Sequence, residues 1–161
     1  MSKSPLIIET LLVVALLGFA FWRMSNRPAT PSVAQQSPEP AVAQEADQDR
    51  ARAAMPRITV QDLQAKMAKN EVTLIDVRDA DSYLESHIPG SMHIPLARIE
   101  GEIPYLPKGK QIVTYCTCPH DEAAADANMI LAHGGVTNAL ALAGGLHAWQ
   151  NAGLAVSSGE K

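Results

Sequence analysis

Three patterns of apolar and polar positions divide the chain. From Leu6 to Trp22 seventeen residues are interrupted only by Glu9 and Thr10, and Leu11 to Trp22 carries no polar side chain. A run of this kind is near the lower length for a bilayer-spanning helix. Lys3 precedes it, Arg23 and Arg27 follow it, and Trp22 stands where an interfacial aromatic would. The pattern predicts an N-terminal transmembrane anchor with its flanks over residues 1–27. A signal peptide cut after Gly18-Phe19-Ala20 is the rival reading; Phe21, Trp22 and Arg23 directly after that site, and the long apolar run, speak against it.

The pattern then disappears. Between Pro28 and Ala54 there are eight Ala, four Pro and four Gln, with no Leu, Ile or aromatic residue. Such a stretch buries too little surface to offset its ordering entropy, so residues 28–56 are expected to be a disordered linker. Lys3 with the terminal amine balances Arg23 and Arg27, so the positive-inside rule leaves the side of the membrane undecided. The spacer resembles those of bacterial envelope proteins and leans the expectation toward a periplasmic domain.

From residue 57 to 156 the periodicity is that of a compact α/β unit. Val72 to Val77 and Gln111 to Tyr115 read as buried strands, and Val60, Leu63 and Met67 fall at helical spacing before the first. Glu122 to Ala132 reads as a helix directing Ala125, Met129 and Leu131 inward, stopped by Gly134 and Gly135. Asn138 to Leu142 reads as a further strand and Gly145 to Asn151 as a short closing helix, leaving residues 157–161 as a tail. Strands alternating with helices imply a parallel sheet covered on both faces, with ligands bound beyond the carboxyl ends of its strands.

Composition narrows the chemistry. Among 161 residues, 17 Asp plus Glu face 13 Lys plus Arg, which argues against a nucleic-acid surface. The two cysteines, Cys116 and Cys118, are too few and too close to form a disulfide framework. No glycine-rich nucleotide motif, Ser/His/Asp arrangement or internal repeat is present. Cys116 directly follows the strand 111–115 and opens the loop Cys116-Thr117-Cys118-Pro119-His120-Asp121-Glu122 into the next helix. Backbone N–H groups and a helix dipole there favour a nucleophilic thiolate, whereas a cysteine at a strand end can also be a small buried hydrophobe.

Four blocks carry a resemblance to a known family: Leu74-Ile-Asp-Val-Arg78; His87-Ile-Pro-Gly-Ser91 with His93-Ile-Pro95; Val113-Thr-Tyr-Cys116; and Gly144-Gly-Leu-His-Ala-Trp149 with Gly153. In order and spacing they resemble the rhodanese-like domains, over about a hundred residues. The resemblance implies a five-stranded parallel sheet with helices on both faces. It also implies a sulfurtransferase in which Cys116 carries sulfane sulfur as a persulfide between a small donor and a thiol acceptor. Residues 117–122 would cradle the anionic sulfur, Asp76 and Arg78 would hold the loop network together, and no cofactor is implied. A Cys-x-Cys-Pro loop followed by an acid resembles a variant subset of the family that includes membrane-linked members.

The loop departs from the family's usual Gly and basic residue. No Lys or Arg occurs from Gln111 to Glu160. Asp121 and Glu122 should raise the thiol's pKa and repel an anionic donor such as thiosulfate, while serving as N-cap and first-turn acid of the helix. The same absence counts against a phosphatase, since phosphoryl transfer needs an arginine clamp and Arg78 or Arg98 would have to lean in from elsewhere. Cys118 can close a disulfide with Cys116 or resolve a persulfide on it, which leaves a dithiol redox protein as one alternative. A non-catalytic binding or sensing module is the other. Cys116, Cys118 and His120 in one tight loop fall short of a closed metal site.

Overall fold

The computed structural model describes residues 39–159. The expected transmembrane helix and the first part of the linker lie outside them; no helix among the described residues is long and apolar enough to cross a membrane.

The elements run α1 (Glu39–Ala54), β1 (Arg57–Ile58), α2 (Val60–Ala68), β2 (Val72–Asp76), α3 (Ala80–Glu85), β3 (Met92–His93), α4 (Ile99–Glu102), β4 (Gln111–Tyr115), α5 (Glu122–His133), β5 (Leu140–Leu142) and α6 (Gly145–Asn151). The five strands form one sheet in the order β1-β5-β4-β2-β3, and every pair is parallel. The expected α/β architecture is present. The strand expected over 138–142 begins only at Leu140, and Val77 lies just past the end of β2.

Both central strands are apolar on both faces, so strand period two sorts their side chains between two cores. Ile75 and Ile112 pack on one face with Ile99, Ala124, Ala127 and Leu131. Leu74, Val113 and Tyr115 pack on the other with Leu63, Leu142, Leu146 and Trp149. Thus α4 and α5 cover one face, and α2 and α6 the other. The buried residues of α5 are Ala124, Ala125, Ala127, Asn128 and Leu131, so Ala125 and Leu131 lie inward as expected. Met129, expected inward, is only half-buried. Asn128 takes the inner place because the Thr114 hydroxyl on β4 donates to its Oδ1 at 2.9 Å.

Residues 39–54 correct the expectation of a disordered linker over 28–56, since they form α1. Alanine has the highest helix propensity, and Asp47 with Arg50 and Asp49 with Arg52 are ion pairs one turn apart. Arg52 also forks onto Asp126 of α5, at 2.7 Å from Nε and 3.0 Å from Nη2. That long-range pair is absent from any local reading of composition. The tail is tied down as well: Ser157 exchanges backbone hydrogen bonds with His87 at 2.8 and 2.9 Å, and the Gly159 amide donates to Leu84 O.

Candidate active site

Cys116 is the first residue beyond β4, a central strand, and its loop runs to Asp121 before α5 begins. The loop closes on itself where the Asp121 amide donates to Cys118 O at 3.3 Å. Asp121 itself is left-handed, with φ of 60°, a conformation Asp tolerates better than most residues. On its far side the loop meets the start of α6. The Leu146 amide donates to Cys116 O at 2.9 Å. Gly145, at φ of +51°, lies so close that a Cβ there would stand 2.1 Å from the same oxygen. The double glycine therefore permits α6 to seat against the catalytic-type loop.

The Cys116 side chain is 1% exposed and belongs to the core formed by Ile75, Ala124 and Ala127. The Cys118 amide points at its Sγ from 3.4 Å. This amide and that of Ala124 in the first turn of α5 favour the thiolate. Burial opposes them and wins. With a further contribution from the Cys118 side chain, it pushes the Cys116 thiol up to about 12. At neutral pH the sulfur is therefore protonated.

Of the two loop acids, Glu122 lies in the first turn of α5 as expected, and Asp121 departs from its expected part. Asp121 occupies the cap position of α5 but makes no side-chain capping bond. Its buried carboxylate turns away, accepting from the Gly144 amide at 3.1 Å and lying 3.5 Å from Arg57 Nε. Glu122 instead finishes the turn: its Oε2 accepts from the His120 amide at 3.2 Å. Its own amide, then that of His120, keeps its carboxyl below the ordinary range. The thiol's rise thus comes from burial first, with the neighbouring thiol next, rather than from the acid pair. Thr117 and Cys118 are half-buried, whereas Pro119 and His120 are exposed.

Arg57 is the residue the sequence did not single out. From β1, at the sheet edge, its Nη1 donates to Ala53 O and Met55 O at 3.2 Å. Its Nη2 reaches His120 O at 3.3 Å, and its Nε faces Asp121. It thus supplies the base missing from 111–160. The arginines considered for that place are engaged elsewhere: Arg98 pairs with Glu102, and Arg78 with Asp76. Sixty-three positions separate Arg57 from His120, and only the return of β5 beside β1 brings those parts of the chain together.

Asp76 and Arg78 lie beside the loop without touching it. Asp76, fully buried, is in register with Tyr115, the residue before Cys116. Arg78 grips it through Nε at 2.9 Å and Nη2 at 2.6 Å, and Nη2 also donates to Ser86 O at 2.6 Å. The Tyr115 hydroxyl accepts from the Ile88 amide and bonds Ser91 Oγ, both at 3.0 Å. Burial lifts that phenol above its ordinary range. The network pins the segment 86–91 against the end of β4. Among the described residues no group of three or more His, Cys, Asp or Glu is disposed to hold a metal.

Comparison with known proteins agrees with this architecture. The sequence model of the rhodanese-like domain matches residues 59–152. The chain belongs to the rhodanese-like domain family. Within the family it is 29% identical over 82 residues to the thiosulfate sulfurtransferase GlpE of Coxiella burnetii, covering 51% of this chain and 75% of that protein. It is also 35% identical over 102 residues to the HTH-type transcriptional regulator Rv0324 of Mycobacterium tuberculosis. That match takes in 63% of this chain and 45% of the regulator, so this chain spans less than half the length of that relative. The crystal structure of BH2092 from Bacillus halodurans superposes with a TM-score of 0.60 at 30% identity, over 72% of this chain and 86% of that one. This rhodanese-like domain thus has distant relatives named as sulfurtransferases and one named as a transcriptional regulator.

Proposed function

We propose that this rhodanese-like domain carries sulfane sulfur as a persulfide on Cys116 and delivers it to an acceptor thiol. The observation that carries the reading is the Cys118 amide, directed at a sulfur at the carboxyl end of a central strand, with the start of α5 also favouring the anion. Such amides stabilise an anionic persulfide as they would a thiolate. In the first half-reaction the outer sulfur of a persulfide or polysulfide donor passes to the loop and comes to rest on Cys116, and the donor's remaining sulfur leaves as a thiolate. In the second, an acceptor thiolate takes that outer sulfur and Cys116 is released. Neither half changes the overall oxidation level.

Thiosulfate is the less suited donor. The cation bonded to the loop is Arg57, and it is already committed to Asp121 and three carbonyls. Glu122 remains ionised at the loop's outer side. The apolar run Leu6–Trp22 supports a membrane-tethered setting, and the Pro/Ala/Gln-rich spacer leans the domain toward the periplasmic side, which a reporter fused at the C-terminus and active in one compartment tests.

The test of the chemistry is mass measurement. The full chain in detergent, incubated with glutathione persulfide or polysulfide and mapped by peptide fragmentation, should carry a gain of about 32 Da at position 116, and Cys116→Ser should carry none at that position. No adduct with any donor would overturn the proposal. A second reading, a binding or sensing module, is favoured by the burial of Cys116; it requires that Cys116→Ser leave partner capture unchanged.

A further inference from the structure

Resting on the persulfide reading, we propose that Cys118 is the entry thiol of the site: it takes sulfur from the donor and hands it to Cys116, the buried store. Cys116 is 1% exposed and lies in the apolar cluster that includes Ile75, Ala124 and Ala127. Thiol exchange proceeds by attack along the axis of the bond being broken, so a bulky donor must bring its outer sulfur directly onto the attacking one. Cys116 offers no such opening. Cys118 packs on the same apolar cluster yet keeps part of its surface in solvent, next to the exposed Pro119 and His120. It is therefore the sulfur a donor meets.

The two sulfurs are also connected. The Cys118 amide lies 3.4 Å from Cys116 Sγ, and both side chains pack in one apolar cluster. This closeness provides the path the transfer needs. First, Cys118 as thiolate attacks the outer sulfur of R–S–SH, forming Cys118–S–SH and expelling R–S⁻, which takes up a proton from solvent. Then Cys116 attacks the outer sulfur now on Cys118. The new Cys116 S–S bond forms as the Cys118 S–S bond breaks, and the proton of Cys116 passes to the departing Cys118 sulfur. The products are Cys116–S–SH and Cys118–SH. One sulfane sulfur has moved, every thiol has its proton back, and no oxidant or reductant is consumed. Burial of Cys116 becomes useful in this scheme, since a stored persulfide is shielded from adventitious thiols.

The experiment follows the adduct by site. Full-length wild type, Cys118→Ser, Cys118→Ala and Cys116→Ser are mixed with glutathione persulfide, quenched by alkylation at successive times and mapped by peptide mass. Circular dichroism confirms that each variant is folded. The expected results are an adduct ending on Cys116 in the wild type, loading of Cys116 slowed about tenfold or more in both Cys118 variants, and adduct trapped on Cys118 in Cys116→Ser. Loading at the wild-type rate without Cys118, or absence of adduct on Cys118 in Cys116→Ser, overturns the relay while leaving the Cys116 persulfide standing. A wild type that closes a Cys116–Cys118 disulfide and releases hydrogen sulfide overturns it too. An unmodified wild type would instead remove the persulfide reading itself.

Discussion

At the scale of single residues, position and environment pull Cys116 in opposite directions. A strand-end cysteine facing loop amides is set up for a low pKa, yet burial raises this thiol to about 12. Reactivity of Cys116 should therefore climb with pH. In Cys118→Ser, alkylation of Cys116 is expected to rise about tenfold per pH unit from pH 7 to 10 without levelling off, because the thiolate is the nucleophile; a plateau near pH 8 would show the amides winning instead. The same shift is a stability term. The folded protein holds the proton more tightly than the unfolded chain, so the contribution is complete below the ordinary thiol value of 9.0 and is lost as pH rises toward about 12. Gly145 tests the backbone side of the site. Gly145→Ala places a methyl group 2.1 Å from Cys116 O at φ of +51°, and should cost about 2–4 kcal/mol. Gly153→Ala, with nothing within 4 Å of its added Cβ, isolates the penalty of positive φ alone, and comparing the two thermal melts separates the clash from it.

At the scale of elements, the loop is held from three directions: β4 behind it, α6 against Cys116 O, and Arg57 of β1 on Asp121. The Asp121 carboxylate is buried, and one of its oxygens, Oδ1, already lacks a hydrogen-bond partner among the described residues. Removing its cation leaves a buried charge held by a single amide. Arg57→Ala is therefore expected to lower stability by roughly 1–3 kcal/mol and to slow sulfur loading, with partial recovery in Arg57→Lys; unchanged melting and loading would mean the pair is ornamental. The neighbouring contact of α1 is weaker in kind. Arg52 and Asp126 are partly exposed, at 28% and 24%, so Arg52→Ala should cost no more than about 1 kcal/mol and leave loading untouched. The helix itself was hidden from composition. An Ala, Gln and Asp stretch without large apolar residues reads as spacer, and only Asp126, over seventy positions away, supplies the partner that holds its last turn.

At the scale of the whole molecule, the parallel sheet gathers its chemistry at one end. The Cys116 loop, the Gly144-Gly145 turn and the Asp76–Arg78 pair all follow strand carboxyl ends, of β4, β5 and β2. Asp76–Arg78 is a global tie, with side chains 0% and 8% exposed. Asp76→Asn leaves the guanidinium uncompensated and should cost about 3–5 kcal/mol, seen as a large fall in melting temperature of the entire domain; a small fall would place the pair outside the core network. Much of this was legible along the chain. Two apolar runs of strand length, the Cys116 loop between a strand and a helix, and the double glycine before the last helix are local features, and local hydrophobic order and turn chemistry are written residue by residue. The sequence by itself therefore determined the α/β class, the closing helix at 145–151 and the place of Cys116 between a strand and a helix. What only the tertiary structure decided were pairings between distant segments: Arg57 with Asp121, Asp121 with Gly144 rather than its own helix, Arg52 with Asp126. It also decided the depth at which Cys116 is buried. Charge partners and solvent exclusion act through space, and neither distance nor desolvation is a property of neighbours along the chain.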